Sequence, residues 1–134
     1  MKKTQKMWLP VSPKKERLTL TEFEKKEVEI KFKPLVEEWK KTRLDKPHPE
    51  FNYKIDIYSK WYRNYFYLCS KYKSDSPRRI ADTFDTKFAR LEYKGRNKFD
   101  LAYFRHTGQW CVVFEAQSLD ECLECVKKEE LFQP

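Results

Sequence analysis

The stretch YKIDIYSKWYRNYFYLCSKYK, from Tyr53 to Lys73, constrains the fold most, because apolar residues alternate with basic and hydroxyl-bearing ones along it. Arg63 and Asn64 lie at its centre, and Asn tolerates the left-handed backbone that a two-residue hairpin turn requires. The stretch is therefore predicted to form a β-hairpin that places Tyr62 opposite Tyr65 and Trp61 opposite Phe66.

This register separates the hairpin into two faces, since successive strand side chains point to opposite sides of a sheet. The apolar face holds Ile55, Ile57, Trp61, Phe66, Leu68 and Tyr72. The other face, called the Tyr/Lys face, holds Tyr58, Tyr62, Tyr65, Tyr67, Lys54, Lys60 and Lys71. The hairpin can thus supply a core and an aromatic, basic surface at once.

Two helices are predicted to flank the strands. Thr21 and Glu24 have the Thr-x-x-Glu spacing of a capping box, and apolar residues recur at helical spacing after them. We expect a helix over about 21–43, kinked near Pro34. The alternative is a short strand at 28–33 followed by a helix with Pro34 in its first turn. Ser118 and Glu121 form a second capping box, which predicts a short C-terminal helix.

Three further strands are predicted at about 86–94, 98–105 and 109–115. Residues 74–85 read as a connecting loop, and 95–97 and 106–108 supply the turns. The predicted fold class is α+β: a five-stranded antiparallel sheet with a long N-terminal and a short C-terminal helix on one face.

The order of these segments resembles a known family. "LTEFEKKEVE", the aromatic hairpin, "FARLEYKGRNKFDLAYFRHTGQW" and "SLDECLECVKKEELF" together look like a bacterial family of small domains of unknown function. The similarity covers about residues 19–132. It implies an α+β fold with this order of elements, and it implies no established activity and no functional residues.

Basic residues give the chain a net charge of +8, and many of them lie in residues 1–19. We therefore expect a basic, mobile tail at 1–19 and a single domain at 20–134. No apolar run approaches the roughly 20 residues of a membrane span, so a cytoplasmic protein without membrane association is predicted. The four cysteines are then expected to be reduced.

The Tyr/Lys face is the main candidate site, together with the adjacent pair Arg78 and Arg79. The leading prediction is a non-catalytic binding or interaction domain without cofactors, self-associating as a homodimer through this aromatic face. The first alternative is a single-stranded nucleic-acid-binding module, since aromatic rings stack on bases and lysines meet phosphates.

A second alternative is enzymatic. Asp100, Glu115 and Gln117 loosely resemble the metal-binding carboxylates of restriction-endonuclease-like enzymes, with Gln117 replacing the usual lysine. If Thr107 and Gly108 form a two-residue turn, Asp100 and Glu115 lie opposite each other and could hold Mg²⁺.

Cys122 and Cys125 have the CxxC spacing of redox sites but lack the preceding strand of thioredoxin-like motifs. Cys122 is better explained as a core residue. No metal site is predicted.

Overall fold

Five antiparallel strands form one sheet in the computed structural model, and their spatial order follows the chain. The model describes residues 20–134; the predicted basic tail at 1–19 lies outside them. The elements are α1 (Glu22–Thr42), β1 (Tyr53–Tyr62), β2 (Tyr65–Lys73), β3 (Thr83–Gly95), β4 (Lys98–Phe104), β5 (Trp110–Gln117), α2 (Leu119–Lys128) and a 3₁₀ turn at Glu130–Phe132. The predicted α+β class and element order are confirmed.

Helix α1 is continuous through Pro34, so residues 28–33 are helical and the alternative strand there is wrong. Its N-terminus has the predicted capping box: the Thr21 hydroxyl accepts the Glu24 N–H, and the Glu24 carboxylate accepts the Thr21 N–H at 3.0 Å. The hydrogen bonds that the Thr21 N–H and hydroxyl donate to the carboxylate lower the pKa of Glu24. Because Pro34 has no N–H, the carbonyl of Ile30 lacks its usual helical donor.

The predicted hairpin register is confirmed, with Tyr62 paired to Tyr65 and Trp61 to Phe66. The turn differs in one respect: Arg63, rather than Asn64, has the left-handed backbone, with φ 56°. Asn64 instead bonds across the sheet, donating from Nδ2 to the Tyr93 carbonyl and accepting the Tyr93 N–H at its own carbonyl. Asn64 is therefore a turn residue that does not need a positive φ.

The predicted register fails near Lys54, where a bulge in β1 pairs Lys54 with Tyr72. The cause is Asp45, which accepts the Lys54 N–H at 2.8 Å and donates its own N–H to the Lys54 carbonyl at 2.9 Å. Lys54 is consequently 8% exposed, with its ammonium 5.7 Å from the centre of the Tyr72 ring. Lys54 therefore does not line the surface that the Tyr/Lys face was predicted to form.

Both helices pack on the same side of the sheet. Helix α1 contributes Val28, Phe32, Val36 and Trp39, α2 contributes Cys122 and Val126, and the sheet contributes Ile57, Phe66, Leu68, Ala89, Leu91, Tyr93, Phe99 and Leu101. Phe132 in the 3₁₀ turn completes this core and is fully buried. Capping at Ser118 starts α2, as predicted.

Strand β3 begins at Thr83, earlier than predicted, because β2 is long enough to pair with it from Tyr65 to Lys73. A second bulge leaves Phe88 between two paired residues, since Leu68 pairs with Ala89 and Cys69 with Lys87. The Phe88 ring packs edge-on against Trp39 of α1, with ring centres 5.6 Å apart. The bulge thus turns two consecutive residues, Phe88 and Ala89, toward the core.

Strand β5 ends in a strained segment at Ala116, whose φ is 54°. L-residues pay about 1–2 kcal/mol for this conformation, which glycine adopts freely. The Ala116 N–H donates to Asp100 Oδ1 at 3.0 Å, and this bond holds the backbone in place.

We predict that Ala116→Gly raises the free energy of unfolding by about 1 kcal/mol, because glycine relieves the left-handed backbone. Urea denaturation would measure the change. Ala102→Gly, at a β4 position without a positive φ, is the matched control and should lower the free energy of unfolding. Destabilisation by both substitutions would contradict the assigned strain.

Candidate binding surface

The sheet side facing away from the helices, called the open face, carries most of the predicted Tyr/Lys residues. One row of directly paired residues crosses all five strands: Lys60, Tyr67, Arg90, Ala102 and Val112. A neighbouring row contains Tyr62, Tyr65, Glu92 and Asp100. On the other side lie Tyr58, Cys69 and Lys87. The hairpin therefore brings Tyr58, Tyr62, Tyr65, Tyr67 and Lys60 together, as predicted.

Arg90 lies at the centre of the open face between two aromatic rings. Its guanidinium carbon is 4.8 Å from the centre of the Tyr65 ring and 4.7 Å from that of Trp110. Its Nε atom is buried without a hydrogen-bond partner among the described residues. Attraction to the ring faces offsets part of the cost of desolvating this cation.

The rings around Arg90 also contact one another. Tyr65 stacks on Tyr67 with centres 5.9 Å apart, and Trp110 lies 5.7 Å from Tyr67 and 5.1 Å from Phe104. Tyr67 is only 9% exposed as a result. Tyr65 and Tyr67 are therefore largely occupied by neighbours.

A depression of about 380 Å³ lies beside this cluster and is lined by Lys60, Trp61, Tyr62, Tyr67 and Lys87. The Lys87 ammonium is 5.2 Å from the centre of the Tyr67 ring. Tyr62 is 54% exposed, and the Arg63 guanidinium carbon lies 5.2 Å from its ring centre. The depression thus combines two ammonium groups with one available ring.

The cations of the open face are mostly free of carboxylate partners. Within residues 20–134, Lys60, Lys71, Lys87 and Arg90 form no salt bridge. Of the nearby acids, Asp85 accepts the Tyr58 hydroxyl. Burial and then this hydrogen bond raise the pKa of Tyr58, so its hydroxyl stays protonated. Four cations therefore remain available to an anionic ligand.

Arg78 and Arg79 lie elsewhere. They line a separate depression of about 490 Å³ formed by the loops before β1 and β3, and none of the Tyr/Lys residues lines it. Arg79 is also bound to Asp82, with Nε 2.6 Å from Oδ1. The loop arginines and the open face are thus two surfaces rather than one.

Sequence reasoning missed Lys87, Arg90 and Trp110, which complete the open face. Simple alternation along β3 would place Lys87 and Arg90 on opposite sides, because they are three positions apart. The bulge at Phe88 places both on the open face. Applying the hairpin's face assignment to the later strands would have found Trp110 as a cross-strand neighbour.

The register does not pair Asp100 directly with Glu115: Phe99 pairs with Gln117 and Leu101 with Phe114, so Asp100 faces a bulge at Glu115 and Ala116. The hairpin between β4 and β5 has a loop closed by the Arg105 N–H and the Gln109 carbonyl, so the two-residue turn at Thr107 and Gly108 is wrong. One Asp100 oxygen holds the Ala116 N–H, and Gln117 donates to the Glu115 carbonyl. Among residues 20–134, no group of three or more His, Cys, Asp or Glu side chains is placed to hold a metal ion.

All four cysteines are free thiols. Burial raises the pKa of Cys122 to about 12, and it also raises the pKa of Cys125. A redox-active CxxC needs the opposite shift, toward the thiolate. Cys122 is a core residue, with no exposed surface.

A family model described as a domain of unknown function (DUF3024) matches residues 20–134, the same residues that the structure describes. No curated protein and no solved structure matches the chain. In addition, no helix within residues 20–134 is long and apolar enough to cross a membrane.

We predict that Arg90→Ala lowers the free energy of unfolding by about 1–2 kcal/mol, because Tyr65 and Trp110 lose the cation between them. Arg90→Lys is the control, and it should recover only part of the loss, since an ammonium lacks the planar stacking surface. Denaturation followed by Trp fluorescence would measure both. Equal stability of Arg90→Ala and the parent would contradict the role of this contact.

We predict that alkylation by iodoacetamide at pH 8 modifies Cys111 and Cys125 before Cys122. A pKa of about 12 instead of 9.0 leaves Cys122 with about a thousandfold less thiolate. Peptide mass spectrometry over time would give the order, and denatured protein, in which all four thiols react alike, is the control. Early labelling of Cys122 in the native protein would overturn its assignment to the core.

Proposed function

The chain belongs to the DUF3024 family of unknown function, and we propose that it is a small non-catalytic domain that binds single-stranded nucleic acid on the open face of its sheet. The observation that carries this proposal is the depression lined by Lys60, Tyr62, Tyr67 and Lys87, which joins unpaired cations to an available ring. Lysines contact backbone phosphates without regard to sequence, and an exposed ring stacks on any base.

Tyr62 is the ring we propose for stacking. It is 54% exposed, whereas Tyr65 and Tyr67 already contact Arg90, Lys87 and each other. Lys60 and Lys87 line the same depression and would meet phosphates next to the stacked base. Arg78 and Arg79 are not part of this contact.

Charge favours an anionic ligand over a second copy of the same face. Two open faces brought together would place the unpaired Lys60, Lys87 and Arg90 of one copy near those of the other, and like charges oppose association. Homodimerisation is the second candidate because Phe104 and Val112 are 45% and 42% exposed at the β5 side of the face. A dimer through these residues would leave the depression at Tyr62 accessible.

A cytoplasmic location is part of this proposal, and the four free thiols support it, since the cytosol keeps cysteines reduced. A catalytic role is not proposed, because Asp100 is engaged by the Ala116 N–H rather than positioned for metal binding.

We predict that the protein binds labelled single-stranded oligonucleotides of about 12 nucleotides at low salt and releases them as salt rises from about 50 to 200 mM. Lys60→Ala and Lys87→Ala should each weaken binding. Each should also reduce the slope of the logarithm of the binding constant against the logarithm of salt concentration by about one. Tyr62→Ala should cost about 1–3 kcal/mol of binding free energy. Fluorescence anisotropy would measure all three.

Lys41→Ala and Phe23→Ala on α1 are the matched controls, since both side chains are exposed away from the open face. They should leave affinity unchanged. If Lys41→Ala weakened binding as much as Lys60→Ala or Lys87→Ala, the loss of affinity would reflect net charge alone, and the assigned site would be contradicted. A dimer whose mass does not change with oligonucleotide would favour self-association instead.

A further inference from the structure

A groove of about 490 Å³ runs between helix α1 and the edge strand β1, on the opposite side of β1 from its partner β2. Helix α1 runs antiparallel to β1, since Lys25 contacts Trp61 at one end and Lys40 contacts Asp56 at the other. These two contacts bound the groove. Between them α1 advances roughly 22 Å, which matches about six residues of extended chain.

The strand wall of the groove offers main-chain hydrogen-bonding groups. Tyr62 and Tyr65 close the two-residue turn as a hydrogen-bonded pair, so alternation turns the N–H and C=O groups of Trp61, Ser59 and Ile57 away from β2. Farther along the edge, carboxylates already accept hydrogen bonds from the backbone. Asp56 accepts the Ile57 N–H, and Asp45 accepts the Lys54 N–H. Ser59 has no such partner among the described residues and lines the groove.

The helix wall has an equivalent free group. Ile30 lines the groove, and its carbonyl has no helical donor because position 34 is proline. The Ile30 side chain is 67% exposed, and the edge of the buried Val36 side chain also lines the groove, so the groove has an apolar patch as well. Both walls therefore present unpaired backbone groups around apolar side chains.

We propose that this groove binds an extended peptide of alternating apolar and acidic residues, which adds to β1 as a sixth strand. Main-chain bonds to an exposed sheet edge give such complexes their affinity, and pockets for alternate side chains give specificity. The groove's cations are Lys26, Lys33 and Lys40, and its acids are Glu29 and Glu37. Lys40 is already paired with Glu37 and Asp56, whereas Lys26 and Lys33 form no salt bridge within residues 20–134.

A second copy of this chain fits the groove less well, because β1 itself carries Lys54 and Lys60 and would bring a second α1 with the same lysines. This site is separate from the open face, and the proposal does not depend on nucleic-acid binding.

The test uses the full chain and a capped six-residue peptide of alternating Val and Glu, followed by amide NMR and calorimetry. Binding should shift the backbone amide resonances of Ser59, Ile30 and their neighbours. The same peptide with alternate N-methylated amides should bind about tenfold more weakly, because it cannot complete the ladder. A Val/Lys peptide should not bind. Equal affinity for the N-methylated peptide, or no binding of the Val/Glu peptide, would overturn the proposal.

Two variants sharpen the test without threatening the fold. Ile30→Glu places a carboxylate on an exposed position and should abolish binding. Pro34→Ala restores a donor to the Ile30 carbonyl, so it should stabilise α1 and yet weaken peptide binding severalfold. If the Pro34→Ala protein is more stable and binds the peptide equally well, the Ile30 carbonyl does not take part in peptide binding.

Discussion

Strand β2 is covered on both sides, and the arrangement of the remaining elements follows from this requirement. Phe66 and Leu68 point toward the helices and are fully buried, while Tyr67 and Cys69 point the other way and are buried almost as completely. A single layer of helices can cover only the first pair. On the open face, the second pair is covered by the long side chains of β3 and by Trp110, with Arg90 extending between the rings.

Arginine suits this position because its stem and its planar guanidinium both cover apolar surface while one edge of the group reaches water. Tyr67 is therefore only 9% exposed although it lies on the open face. The same cation that protects the rings also gives the surface its positive potential. Structure and binding chemistry thus depend on the same side chains, and a substitution at Arg90 would change both.

Local patterns in the sequence were sufficient for most of the fold. The hairpin register followed from alternation around Arg63 and Asn64, and the capping boxes at Thr21 and Ser118 marked both helix starts. The bulges at Lys54 and Phe88 could not be predicted in this way. The bulge at Lys54 depends on Asp45, and the bulge at Phe88 depends on packing against Trp39, and neither partner lies on a strand. Alternation likewise showed which side Tyr65 and Tyr67 occupy, but their accessibility depends on Arg90, which lies on another strand.

The spatial order of the strands repeats their order in the chain, so each hairpin can form soon after its own residues are synthesised. Closure of the core is a later event, because Phe132 packs against Tyr103 and Phe114 only after both final strands and α2 exist. Until then, α1 is the only helix within residues 20–134 that covers the apolar side of the growing sheet. Synthesis of this chain therefore creates an interval in which a nearly complete sheet presents half-covered hydrophobic surface, the kind of intermediate that chaperones recognise.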